Sequence, residues 1–358
     1  MKKPTMRDVS RVAGLSIYTV SRALSEDPTG VAAESRERVV AAAKELGYVP
    51  NRAAQQLRRN TRSSVAVITS STSNYYYIDL MRGIQGTLRD SGRTVVVADI
   101  AAEGYYSPEI EDATIQDLIQ SRSAGVISTL ALRQENLDLL HDWQIPIVFV
   151  DSQPPATAST LPAITMANYE AGMQVGAHLA SHGYSSWLFL AYPALWSTRF
   201  ERERGIREAA KKFGAQLVVL ESPNNVEGAF STLSGFLDSP GATPPRALIA
   251  GNNPMIHGAY SVLRERGIAI PDEVAVVGFD DFAWAGLLDP PLTVLDEDSE
   301  AIGVKAAKTL TRIMDEQRTA EDSGLSPSPH YQPGDQQEVK GELVIRRSCG
   351  CQSETTLN

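Results

Sequence analysis

From residue 64 onward, short apolar runs alternate with stretches of helical periodicity, and this alternation limits the chain to a parallel α/β architecture. Val65-Ala66-Val67-Ile68, Thr94-Val95-Val96-Val97, Gly125-Val126-Ile127 and Ile147-Val148-Phe149-Val150 read as strands buried on both faces. Amphipathic segments near 79–91, 109–121 and 135–142 lie between them and can serve as the crossover helices that parallel strands require. A second series begins near Ile164. Its strand candidates are Trp187-Leu188-Phe189-Leu190, Leu217-Val218-Val219-Leu220, Ala247-Leu248-Ile249-Ala250 and Val274-Ala275-Val276-Val277, with helices near 168–182, 199–213, 226–238 and 255–266. Two such series in tandem predict two lobes with a cleft between them, approximately 63–163 with 292–320 and 164–291 with 340–348. Residues 315–340 lack periodicity and read as a solvated loop before a last strand at Leu343-Val344-Ile345, and 349–358 reads as a tail.

The 358 residues leave room for a further unit ahead of the lobes, and 42% hydrophobic with 21% charged content is ordinary for a folded globular chain. No run approaches the 18 or so uncharged apolar residues of a membrane span. The N-terminus turns charged without an apolar signal core, so no membrane partner and a cytoplasmic location are expected. Cys349 and Cys351 are the only cysteines, too few for a disulfide framework and short of four thiol ligands, which fits a reducing compartment.

Charge is distributed unevenly. Residues 1–62 carry 12 Lys/Arg against 6 Asp/Glu, a balance of +6, while the remainder carries 21 against 37, a balance of −16. A basic head on an acidic body suggests that the head meets a polyanion. Thr5 and Asp8 have capping-box spacing, followed by Val9, Val12 and Ala13 at one-face helical spacing, with Gly14 as a left-handed stop. Ser16 can cap a second helix directly, so the predicted motif is a helix-turn-helix over residues 1–49. Val20 and Leu24 face inward, whereas Ile17, Tyr18, Ser21 and Arg22 point outward and can reach base edges. A third helix, from about Ala33 to Leu46, presents Val39, Val40, Ala43 and Leu46 to the small core. Residues 50–62 form a helical segment too short to be stable unaided, and it is expected to order on binding.

Ala13-Gly14-Leu15-Ser16, Thr19-Val20-Ser21-Arg22, Leu46-Gly47-Tyr48-Val49-Pro50-Asn51 and Ala54-Gln55-Gln56-Leu57 together resemble the DNA-binding domain and hinge of the lac repressor family of bacterial transcription regulators. The resemblance implies operator-reading roles for Ile17, Tyr18 and Arg22. Thr5, Ser16, Thr19 and Ser21 would support them, with Asn51, Ala54, Gln55, Leu57 and Arg58 as hinge contacts. Leu57 would wedge into the minor groove.

In open α/β sheets ligands bind beyond the C-terminal ends of the strands. The loops there carry Ser70, Asn74-Tyr75-Tyr76-Tyr77, Asp151, Asn252-Asn253 and Asp280-Asp281, with Arg202 early in the helix after Trp187–Leu190. Carboxylates, amides, a guanidinium and aromatic faces suit a polyhydroxylated ligand. Val148-Phe149-Val150-Asp151, Arg202-Glu203-Arg204-Gly205, Ala250-Gly251-Asn252-Asn253 and Val276-Val277-Gly278-Phe279-Asp280-Asp281 resemble the effector domain of the same family, which is similar to periplasmic sugar-binding proteins. By that similarity Asp151, Arg202, Asn252 and Asp280 fall on effector-contacting positions, and Tyr76 and Tyr77 on aromatic ones. Trp196 is a further aromatic candidate. Glu297 sits in an acidic stretch that reads first as the opening turn of a helix and secondarily as a ligand contact.

Nucleophile-elbow, phosphate-loop, zinc-protease and dinucleotide fingerprints are missing from the sequence. His178 and His182, four apart on one helix without a third ligand nearby in sequence, read as structural rather than as a metal site. No cofactor, metal or enzymatic activity is expected. The reading that accounts for head, hinge and cleft together is a homodimeric, ligand-responsive regulator that binds double-stranded operator DNA. Its effector would be a small molecule, a sugar by the cleft chemistry. A regulator of a non-sugar metabolite and a sugar-binding module without regulatory role are the alternatives. The tail lacks leucine heptads, so nothing supports tetramers.

Overall fold

A computed structural model describes residues 3–25, 29–50, 62, 64–70, 74–101, 106–194, 197–241, 243–352 and 355–356. The chain divides into two compact units, Met1–Arg62 and Ser63–Asn358. The hinge positions Asn51, Ala54, Gln55, Leu57 and Arg58, and Trp196 in the body, lie outside the described residues.

The head comprises α1 (Met6–Ala13), α2 (Ile17–Ala23) and α3 (Ala33–Leu46). Thr5 and Asp8 form the reciprocal capping box, and Gly14 and Gly47 end α1 and α3 at left-handed φ of 65° and 64°. Val9, Val20 and Val39 are fully buried together with Ala13, Ala23, Ala42 and Ala43. At about 1.5–3 kcal/mol per buried valine, these three side chains are the main apolar term of a very small core. Arg38 donates to the Ala13 carbonyl at 2.7 Å, so a charged group from α3 satisfies the exposed end of α1. Two positions depart from the expected pattern. Val12 and Val40 are 44% and 49% exposed, and Ala42 is buried where Val40 was expected to be, because the core-facing stripe of a 3.6-residue period passes through 39, 42, 43 and 46.

In the body, one sheet has the order β11-β5-β4-β3-β1-β2 and is parallel throughout. Its strands are β1 (Ser64–Thr69), β2 (Thr94–Asp99), β3 (Gly125–Ser128), β4 (Ile147–Val150), β5 (Ala163–Met166) and β11 (Gln336–Val339). The other has the order β13-β12-β10-β9-β8-β6-β7. It is built from β6 (Ser186–Ala191), β7 (Gln216–Glu221), β8 (Ala247–Ala250), β9 (Ala275–Phe279), β10 (Thr293–Asp296), β12 (Glu342–Ile345) and β13 (Thr355–Thr356), with β12 antiparallel to β10 and β13. The helices of the first lobe are α4 (Tyr75–Asp90), α5 (Pro108–Gln120), α6 (Gln134–Asp142) and α11 (Ser299–Asp322). Those of the second are α7 (Asn168–Ser181), α8 (Thr198–Phe213), α9 (Val226–Leu237) and α10 (Asn253–Glu265).

The lobe boundaries fall elsewhere than expected. Ala163–Met166 belongs to the first sheet and Thr293–Asp296 to the second, so the chain changes lobe after β5, after β10 and again after β11. At two of these crossings the backbones are joined, Ala167 N–H donating to Val339 C=O at 2.8 Å. The stretch expected to be a loop is largely regular, since α11 runs to Asp322 and β11 covers Gln336–Val339. Arg312 draws this segment in by donating to both Asp335 oxygens at 2.7 and 2.6 Å. The tail is anchored too: Cys349 is fully buried and Thr355–Thr356 pairs with β12. Among the described residues no helix is long and apolar enough to cross a membrane.

Candidate functional site

On the head, the first turn of α2 is held by Ser16, whose Oγ accepts from Thr19 N–H at 3.0 Å and lies 2.8 Å from Thr19 Oγ1. Thr5 Oγ donates to Asp8 at 2.6 Å and caps α1. Burial of Val20 and Ala23 fixes the rotation of α2, which leaves Ile17 at 44% and Tyr18 at 73% exposure, with Arg22 exposed and Ser21 half-buried on the same side. One guanidinium nitrogen of Arg22 donates to the Thr29 carbonyl at 2.5 Å. An isoleucine and a tyrosine held in solvent beside an arginine fork form a face with apolar and donor functions suited to a DNA major groove.

The cleft is built where strands of both sheets end. Asp151 follows β4 at φ 53° and Asp280 follows β9 at φ 71°, left-handed conformations that Asp tolerates better than most residues and that turn both carboxylates toward the gap. Arg202 comes from α8, which packs unusually close to α7. A Cβ on Gly172 would stand 2.5 Å from the Arg202 carbonyl, and one on Gly205 2.1 Å from that of Tyr169, so only glycines permit the crossing. That approach brings the Arg202 guanidinium to Asn168 Oδ1 at 2.9 Å, the Gly251 carbonyl at 2.6 Å and Glu297 Oε1 at 2.5 Å. Its plane lies 4.1 Å from the centre of the Phe279 ring, a cation–π contact. Arg202 and Glu297 are each 2% exposed, a fully buried ion pair. The expected first-turn role for Glu297 is therefore replaced: Asp298 caps α11, while Glu297 lies in the crossing segment and points inward.

The remaining walls are Asn74, Tyr76, Tyr77, Tyr192, Asn224 and Asn252, and the space they leave is about 20 Å³, room for roughly one water. Asn252 Nδ2 donates to Asn224 Oδ1 at 2.8 Å. Asn253 Nδ2 donates to Asp280 at 3.1 Å and across the cleft to Asn74 at 3.0 Å. Tyr75 stacks on Phe282 of the other lobe with centroids 5.8 Å apart, and Gln153 N–H donates to Ser197 Oγ at 2.7 Å. The lobes are thus closed by a handful of polar bonds and by Tyr75, which meets both Phe282 and Trp284. Tyr76 Oη and Asn253 Oδ1 are buried without a hydrogen-bond partner among the described residues. Of the nine cleft residues expected, Tyr76, Tyr77, Asp151, Arg202, Asn252, Asp280 and Glu297 line the cavity. Ser70 stands behind, 2.8 Å from Tyr77 Oη.

Residues 62–334 match the family model described as periplasmic binding proteins and sugar binding domain of the LacI family, and residues 5–51 match that of bacterial regulatory proteins, lacI family. The chain belongs to the LacI family. As a LacI-family member it is a DNA-binding transcriptional repressor, not an enzyme. It is 28% identical over 319 residues to the ribose operon repressor of Bacillus subtilis (strain 168), covering 88% of this chain and 94% of that one. The lactose operon repressor of Escherichia coli (strain K12) is 27% identical over 320 residues, 87% and 85% of the two chains. The lac repressor dimer bound to operator and the anti-inducer ONPF shares the fold, with a TM-score of 0.79 at 24% identity over 97% of this chain and 99% of that one.

The LacI-family cleft of this chain gathers three carboxylates around one guanidinium, and their protonation follows. Burial and then the Glu297 carboxylate push Asp151 up to about 8, against the pull of Arg202, and the same two causes raise Asp280 well above the ordinary carboxylate range. Arg202 stays charged because Glu297, Tyr192, Asp280 and Asp151 together outweigh its desolvation. The folded body therefore holds a proton on Asp151 that the unfolded chain releases near pH 4, so the contribution of Asp151 to stability is present below about pH 4 and is lost as pH rises to about 8. Asn tolerates the left-handed backbone of position 151, so Asp151→Asn should flatten that slope. At pH 8 it should stabilise the protein by at least about 1.4 kcal/mol, the equivalent of one pKa unit, in urea titrations. A variant with the wild-type pH slope would contradict this.

Tyr192, Asn224 and the Asn168 brace escaped the sequence reading. Tyr192 directly follows β6 and Asn224 lies three residues beyond β7, so applying the strand-end rule to every strand would have found both.

Proposed function

We propose that this repressor binds an inverted-repeat operator as a homodimer and is controlled by a neutral polyhydroxylated molecule, a sugar, held in the interlobe cleft. The observation that carries the ligand class is the pair of orphaned buried oxygens, Tyr76 Oη and Asn253 Oδ1, beside Asp151 and Asp280. Buried polar atoms without partners are costly. Hydroxyl groups, which donate and accept, would satisfy a phenol, an amide oxygen and protonated acids alike. The relatives named for ribose and lactose operons support the same class. A sugar is far larger than the present 20 Å³, so ligand entry needs the lobes to part, and the bonds from Asn253 to Asn74, Tyr75 to Phe282 and Gln153 to Ser197 would re-form around it. Such a difference in lobe geometry is the two-state element through which ligand and DNA affinity become linked.

On the head, Ile17, Tyr18 and Arg22 read bases, with Thr5, Ser16, Thr19 and Ser21 contacting the surrounding backbone. At the hinge, Asn51, Ala54, Gln55, Leu57 and Arg58 meet the operator centre. Selection of duplexes from a random pool by the full-length protein tests the reading. Two half-sites in inverted orientation should be enriched, since a twofold protein reads a twofold site. Enrichment of a single unrepeated site, or no enrichment over bulk DNA, would overturn it.

A further inference from the structure

We propose that His178, His182, Cys349 and Cys351 form a tetrahedral zinc site that ties the C-terminal segment to α7. The histidine pair and the cysteine pair are remote from each other in sequence, yet one ligand atom from each of the four residues lies within 4.8 Å of all the others, and this is the His/Cys group that the described residues bring together. Cys351 Sγ is 3.2 Å from His182 Nε2, and the rings of His178 and His182 meet edge to face with centroids 4.9 Å apart. Zinc bonds of about 2.3 Å to sulfur and 2.0 Å to nitrogen place ligand atoms roughly 3.3–3.8 Å from one another. Small side-chain rotations would therefore close the shell.

A second observation points the same way. His178 Nε2 is buried without a hydrogen-bond partner among the described residues, a position in which an imidazole nitrogen is costly unless something binds it. The surroundings are those of a built site. Thr293 Oγ donates to Cys349 Sγ at 3.1 Å and is itself held by the Arg346 N–H at 2.9 Å, a support that favours a thiolate at this position. The ring of Tyr184 stacks on His182, and its hydroxyl donates to the Cys349 carbonyl at 3.1 Å. The Cys-Gly-Cys spacing is tighter than the usual zinc-binding pair. Gly350 adopts φ 94° and has no room for a Cβ, which would lie 2.6 Å from Tyr184 Oη. Only glycine allows the turn that directs both sulfurs to one point.

Two soft thiolates and two imidazoles suit zinc and exclude the hard cations that prefer oxygen. On binding, two Zn–S and two Zn–N bonds form. Each thiol proton passes to solvent, including the one that Cys349 now directs at the Arg346 carbonyl at 3.3 Å, and no electron is transferred.

The test is titration of the reduced, chelator-stripped full-length protein with Co2+ and then Zn2+. One cobalt per chain should produce a thiolate-to-cobalt charge-transfer band and the intense visible bands of a tetrahedral centre, and zinc should abolish both. These two cysteines are the only ones in the chain, so the band can have no other source. Cys351→Ser and His182→Asn should remove it. Thr293→Val should keep one site per chain but weaken zinc about 10- to 100-fold in chelator competition. Zinc should also raise the unfolding temperature of the wild type, a readout independent of whether any variant folds. Cobalt bound without a charge-transfer band, bands that persist in Cys351→Ser, or an unfolding temperature indifferent to zinc would overturn the proposal.

Discussion

Arg202→Ala should cost the effector domain about 3–5 kcal/mol of stability in urea titration, the penalty for stranding one member of a buried ion pair. The truncation would leave the Glu297 carboxylate at 2% exposure, and it would remove the donors that satisfy Asn168 Oδ1 and the Gly251 carbonyl. Arg202→Met combined with Glu297→Leu removes both charges while keeping volume, and it should cost much less than the single change because no unpaired charge remains. A loss below about 1 kcal/mol in the single variant would mean that the pair is solvated and the cleft more open than described. The consequence for function is practical. Arg202 is a keystone of the closed cleft, so loss of ligand response on its removal would not identify it as a ligand contact, whereas Tyr76→Phe deletes one orphaned hydroxyl and leaves the packing in place.

Arg22→Ala should weaken binding to the selected inverted repeat by about 1–3 kcal/mol, relax preference at one base pair in each half-site and barely alter affinity for random duplex. Its side chain is exposed on the same side of α2 as Ile17 and Tyr18, and α2 is fixed by Val20 and Ala23 beneath. The bond to the Thr29 carbonyl uses one of the five guanidinium N–H groups, which leaves donors for two acceptors on a guanine. Anisotropy on wild-type and single-base-changed operators measures this. Equal losses on specific and random DNA would reduce Arg22 to a phosphate contact.

The helical head was legible because caps and stops are local signals: Thr5, Asp8, Gly14, Ser16 and Gly47 each act within a turn of their own position. The strand series was equally legible, since runs such as Leu188–Ala191 are buried on both faces. What sequence could not supply was membership. Ala163–Met166 and Thr293–Asp296 are four-residue runs beside lobe crossings, and only pairing decides which sheet takes them. Glu297 shows the same limit in the site, where an acidic stretch at a helix start hid one carboxylate whose partner is 95 residues away. His178 and Cys351 are the extreme case, because nothing local to either announces the other. The strand-end residues Asp151, Asn252 and Asp280 were found because topology alone places them.

One ligand in the cleft should change how the protein holds its operator. The direct measurement is anisotropy of a labelled inverted-repeat duplex, titrated with full-length protein alone and with a saturating sugar whose binding calorimetry has established. Operator affinity should shift by roughly 5- to 150-fold, a coupling of about 1–3 kcal/mol, with the same shift in sugar affinity when DNA is bound. In Tyr76→Phe the operator affinity without sugar should stay at the wild-type value while the sugar concentration needed for the shift rises. An operator affinity identical with and without bound sugar would mean that the cleft and the head are not linked.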